Sequence, residues 1–138
     1  LNRKMIYRNF DSIFKSYRNK KVFKKISDKN LSIYINSLTE IDNNGTIKII
    51  YPKELEYQIY KTAAIADSYI WKNLKSLSIP TLIIRSKASD AFLKSAANKV
   101  KKINKNIKII ELDDCTHLFP LEIPGLISKH ITEFINNS

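Results

Sequence analysis

The sequence predicts an α/β chain, with a helical segment over residues 1–78 and then a βαβα unit over residues 79–138 whose two strands run parallel. Two observations carry that expectation. Thr81–Arg85 (TLIIR) and Ile107–Leu112 (IKIIEL) are short β-branched and apolar runs with polar residues beyond them, the pattern of strands buried on both faces. Between them, Phe92, Ala96, Val100 and Ile103 recur at helical spacing, and a helix of that length supplies the crossover that parallel strands require.

Taken in order, Phe10, Ile13, Phe14 and Tyr17 fall on one face of a helix, with Lys15 and Arg18 opposite. Val22, Phe23 and Ile26, flanked by Lys20, Lys21, Lys24 and Lys25, suggest another turn or two. Asp28 is placed to cap a helix bearing Leu31, Tyr34, Ile35 and Leu38. That helix is expected to end near Asp42-Asn43-Asn44-Gly45, the strongest turn signal in the chain. Thr46–Tyr51 (TIKIIY) reads as a β-rich run. Pro52 at a first helical position, with Glu54 and Glu56 behind it, opens a helix whose apolar stripe is Leu55, Ile59, Ala63 and Ala66. A break near Asp67-Ser68 is expected before Trp71, Leu74 and Leu77. Pro124 starts a final helix that turns Ile127, Ile131, Phe134 and Ile135 inward.

A chain of 138 residues with 43% hydrophobic content can build a core without disulfides or metals, as one unit or as part of a larger one. It begins at Leu1 rather than Met, as a chain within a longer frame or after processing would. The single Cys115 excludes an internal disulfide and fits a reducing compartment, so the cytoplasm is the expected location. No metal-type spacing occurs, and no cofactor is expected. No apolar run approaches the ~18 residues of a membrane span. The net charge of +11 is concentrated at the start, where residues 1–29 carry about +8. Lysines dominate over the four arginines, whereas specific phosphate or base readout favours the arginine fork. A specific nucleic-acid site is therefore not expected, and the bland reading of the basic residues is a solvated surface.

In open α/β sheets functional groups gather at the carboxyl ends of the strands. Asp90 follows the first strand and His117 the second, so a carboxylate and an imidazole can meet at one edge. Asp90 could equally cap the following helix, and His117 could be an unrelated loop residue. The wording around them is more specific. Residues 79–135, with SKASD and CTHLFPLEIP, resemble the C-terminal part of the α/β-hydrolase fold, where one strand ends in a loop bearing the triad acid. The next strand there ends in a loop bearing the triad histidine, before a proline-opened helix. The segment NNGTIKIIYPKELEYQIYKTAAIADSYIWKNL resembles the cap of a branch of these hydrolases. The resemblance implies Asp90 as the acid and His117 as the base of a Ser-His-Asp triad acting on an ester-like substrate. It departs at Ser86 and Thr116, where the family usually has glycine, so these loops are expected to sit differently.

The nucleophile is absent. The family carries it in G-x-S-x-G, and the only glycines here are Gly45 and Gly125. Ser86 and Ser89 share the Asp90 loop without an activating turn. Asp113 and Asp114 could supply the acid instead, but lie so near His117 that serving the turn is the simpler reading; Cys115 is placed to be half-buried, and His130 is a surface or interfacial helix residue. The expected function is that of the C-terminal fragment of an α/β hydrolase, inactive alone and acting on substrate only if complemented by an N-terminal half. Self-association through the open edge of strand 81–85 is a further expectation. The alternative is a basic module that binds nucleic acid, an anionic membrane or a partner through residues 1–29.

Overall fold

The computed structural model describes residues 4–138, apart from the side chains of residues 53 and 63–66. Leu1, the Ala63 and Ala66 positions of the expected stripe, and one of the basic residues in segment 1–29 thus lie outside the described residues. The chain divides after Asp67 into two compact units.

In the first unit, α1 (Phe10–Arg18) starts at Asn9, whose side chain accepts from Ser12 N while the Ser12 hydroxyl accepts from Asn9 N. This reciprocal arrangement satisfies two amides that a helix start leaves open. Ile13 and Tyr17 are the buried positions of its apolar face. A 3-10 turn at Lys21–Phe23 follows, then α2 (Asp28–Ser37). The cap of α2 is Ser27, not Asp28, because the Ser27 hydroxyl accepts from Asn30 N at 3.2 Å. Asp28 instead pairs with Arg18, whose Nη1 also donates to the carbonyls of Phe23 (3.0 Å) and Ile26 (2.9 Å). One guanidinium therefore holds the connection between the two helices, and the rings of Tyr17, Phe23 and Tyr34 cluster together.

The first half is less helical than its periodicity predicts. A three-stranded antiparallel sheet forms from β1 (Ile6–Tyr7), β2 (Thr39–Ile41) and β3 (Ile47–Ile49), in the order β1-β3-β2. The Asp42–Gly45 turn accordingly closes a hairpin rather than a helix. Asp42 Oδ1 accepts from Asn44 N and Thr46 N, and Gly45 takes φ +76°, open to glycine at no steric cost. Ile47 and Ile49 point into the core and Lys48 outward, the alternation of a half-buried strand. α3 (Lys53–Asn73) begins one residue after Pro52 and runs through Asp67-Ser68 without the expected break, ending in a 3-10 turn at Leu74–Ser76. Leu55 and Ile59 on it are exposed.

The second unit contains β4 (Thr81–Ser86), α4 (Lys94–Ile103), β5 (Ile107–Leu112), the short α5 (Phe119–Glu122) and α6 (Pro124–Asn136). β4 and β5 pair in parallel, from Thr81↔Ile107 to Ser86↔Leu112. Successive residues face opposite sides of a strand, and both sides are covered. Ile83, Ile107 and Ile109 pack with Leu74, Trp71 and Val100 of the flanking helices. Ile84, Ile110 and Leu112 pack with Cys115, Phe119 and Ile127. On α6, Ile127 is buried, but Ile131 and Ile135 are exposed rather than inward.

One charged pair lies on the α4 side. Arg85 is 4% exposed, and its Nη1 meets Glu111 Oε2 at 2.8 Å directly across the ladder, while its Nε donates to Phe92 O at 2.9 Å. Removing one member strands the other's buried charge, whereas replacing both with apolar groups does not. Glu111→Ala is expected to destabilise the chain by about 3 kcal/mol, the low end for a buried pair because the Phe92 bond remains. The double change Arg85→Met with Glu111→Leu should recover most of that loss, as read from urea-unfolding midpoints.

Candidate active site

The parallel register brings the ends of β4 and β5 side by side, and the loops that leave them are tied together. Lys87 N donates to Leu112 O at 2.9 Å, continuing the ladder one residue past β4. The Ser86 hydroxyl, fully buried, donates to Cys115 O at 2.5 Å and accepts from Ala88 N at 3.1 Å. Lys87 Nζ meets the Asp113 carboxylate at 2.9 Å. That bond, and then the Asp113 charge, raise the Lys87 pKa above its ordinary 10.5. The group is exposed, and its raised value means that Lys87 keeps its charge in this pair through pH 10.5 and loses it only in stronger alkali.

The histidine loop is anchored at both flanks of His117. Cys115 sits in the core against Leu112 and Ile127, fully rather than half buried. Thr116 N donates to Glu122 Oε2 at 2.9 Å, its hydroxyl donates to the same carboxylate, and it accepts from Leu118 N. Asp114, just before Cys115, bends the chain with φ +54°, a conformation that Asp tolerates better than most residues. The hydroxyls of Ser86 and Thr116 are thus both used to fasten the loops.

His117 is exposed, and its Nδ1 lies 3.1 Å from Ser89 Oγ. Ser89 is 7% exposed and also accepts from Ala91 N at 3.2 Å. Asp90, the next residue, is exposed and makes no hydrogen bond or ion pair among the described residues. The structure therefore brings the two expected loops together, with Ser89 as the group touching the imidazole. Nothing in the sequence distinguishes Ser89 from Asp90 in this respect, because which of two adjacent turn residues faces the neighbouring loop depends on the loop's path. Asp113 serves Lys87, and His130 Nδ1 lies 3.7 Å from Glu133 on α6. Ser86 is too buried to meet a substrate. Among the described residues no group of three or more His, Cys, Asp or Glu could hold a metal ion. No described helix is long and apolar enough to cross a membrane. One ring nitrogen of His117 is thus held while the residue remains open to solvent.

No family model matches the sequence. No curated protein is significantly similar to it. Solved structures are similar in fold. E-2-(acetamidomethylene)succinate hydrolase superposes with a TM-score of 0.76 at 16% identity, over 96% of this chain and 47% of its own. The peroxisomal α/β-hydrolase of Saccharomyces cerevisiae gives 0.76 at 19%, over 98% of this chain and 38% of its own. An esterase of Mycobacterium tuberculosis gives 0.73 at 12%, over 95% and 42%. The chain spans less than half the length of each of these structures. Its helical cap-like region and parallel βα unit have the arrangement of part of an α/β hydrolase.

The Ser86 hydroxyl is the fully buried tie between the two loops. Ser86→Ala leaves the Cys115 carbonyl without that donor and is expected to cost about 1–3 kcal/mol. The check is chemical denaturation together with faster amide exchange at residues 113–118.

Proposed function

We propose that this chain is the C-terminal part of an ester-type hydrolase. Residues 1–78 form its cap-like segment and 79–138 its histidine-bearing unit, in the cytoplasmic setting that a lone, buried thiol suits. The observation that carries this reading is the meeting of the β4 and β5 loops at His117, through the 3.1 Å contact with Ser89. In the complete enzyme a serine from a segment outside these residues attacks the acyl carbon. His117 takes the proton from that serine and returns it to the leaving group. Asp90 supplies the negative charge that favours the imidazolium. No G-x-S-x-G turn is encoded in the chain, so the nucleophile belongs to the complementing segment, which also shapes part of the acyl and leaving-group pockets.

The 138-residue chain alone is expected to hydrolyse no p-nitrophenyl ester and to take no label from a fluorophosphonate probe. Stoichiometric labelling of one serine overturns this. If the coding region upstream holds a G-x-S-x-G frame, co-expressing that segment should restore turnover. His117→Ala should then abolish it and Asp90→Asn reduce it at least tenfold, about 1.4 kcal/mol of barrier.

A second reading is favoured by the exposure of Lys20, Lys21, Lys24 and Lys25 around one short turn. Under it, these residues hold a polyanion by charge alone. Binding to unrelated duplex DNA at about 0.15 M salt, lost when all four become glutamine, supports that reading; the hydrolase reading expects no such binding.

A further inference from the structure

An acid beside a proton-transferring histidine has two duties: it holds the ring in the useful tautomer, and it stabilises the imidazolium. We infer that in this chain the two duties are divided between neighbours, Ser89 Oγ receiving the Nδ1–H of His117 and fixing the ring, Asp90 contributing charge without a bond. The inference rests on His117 being the base of the proposed hydrolase.

Ser89 is built for a fixed position. It is almost fully buried, its N–H donates to Ser86 O at 3.2 Å, and Ser86 is itself tied to Cys115 O across the strand ends. Ala91 N–H occupies one lone pair of Ser89 Oγ. One lone pair and the hydroxyl proton remain. If the hydroxyl donated to Nδ1, the ring proton would sit on Nε2, and the exposed nitrogen would have nothing with which to accept a proton. If Nδ1–H donates to the oxygen, Nε2 keeps its lone pair. The same bond then survives unchanged when Nε2 is protonated, because Nδ1 is a donor in both forms. Ser89 is thus a positioning residue that serves the ring before and after proton transfer.

Neighbouring ionisable groups have partners of their own: Lys87 and Asp113 pair with each other, and Glu122 is held by Thr116. Asp90, exposed, acts through solvent, where its charge is screened.

The test reads the ring proton in the ¹⁵N-labelled 138-residue chain by long-range ¹H–¹⁵N spectra. The pH is about 8.5, about two units above the ordinary histidine value, so that neutral tautomers are observed. His130→Gln assigns the His117 signals. The parent and Asp90→Asn should both show the Nδ1–H form. Ser89→Ala should lose it in favour of Nε2–H, and Ser89→Thr, which keeps the hydroxyl, should restore it. A parent in the Nε2–H form, a Ser89→Ala spectrum like the parent's, or an Asp90→Asn change as large as that of Ser89→Ala overturns the assignment. Because the readout needs no turnover, its failure is separable from failure of the hydrolase reading. In the complemented enzyme, Ser89→Ala should lower kcat more than tenfold with KM unchanged, and Ser89→Thr should recover it.

Discussion

The parallel pairing of β4 with β5 is the constraint on which the second unit depends. Parallel strands cannot be joined by a tight turn, so the chain must cross over through a helix, and both strands must end at the same edge. Register does the rest. With Ser86 opposite Leu112 and Arg85 opposite Glu111, the ladder aligns a buried ion pair on one face. It also starts two loops from adjacent points, close enough for Ser86 to reach Cys115 and Ser89 to reach His117. A slip of one residue would reverse every side chain. It would turn Arg85 away from Glu111 and toward the apolar cluster around Leu112.

The first unit solves a different problem with related means. Its first two helices, α1 and α2, are short, and short helices are marginal in water without packing. Ile13, Leu31, Ile35 and Ile49 are each buried to within 2% of complete, while Arg18 satisfies the carbonyls of the connecting turn. A cation with several donors in a fixed fork suits this role in a way that lysine would not. It also shows that the basic character of the first thirty residues is not all solvated surface.

Periodicity made the second unit legible, because TLIIR and IKIIEL have one reading at their length and the helix between them is strongly amphipathic. The first half was legible only in part. Ile6–Tyr7 and Thr39–Ile41 are two and three residues long, too short for any period to register, and they exist because β3 offers both edges. The Asp42–Gly45 turn was evident, but not what it joined. At the site, the two loops and His117 could be located from strand ends and the likeness to hydrolases. The contact of Ser89 with His117 could not, since it follows from how the loop after Ser86 turns. Ser86 and Thr116 each fasten their loop with a hydrogen bond from their own side chain.

Cys115 gives the histidine loop a property of its own. The thiol is the only one in the chain, is buried, and is two residues from His117. A thiol reagent can reach it only when that loop lifts from Leu112 and Ile127, an opening whose frequency is set by local rather than global stability. The loop therefore carries a built-in gauge: the rate at which Cys115 is modified measures how often this loop opens.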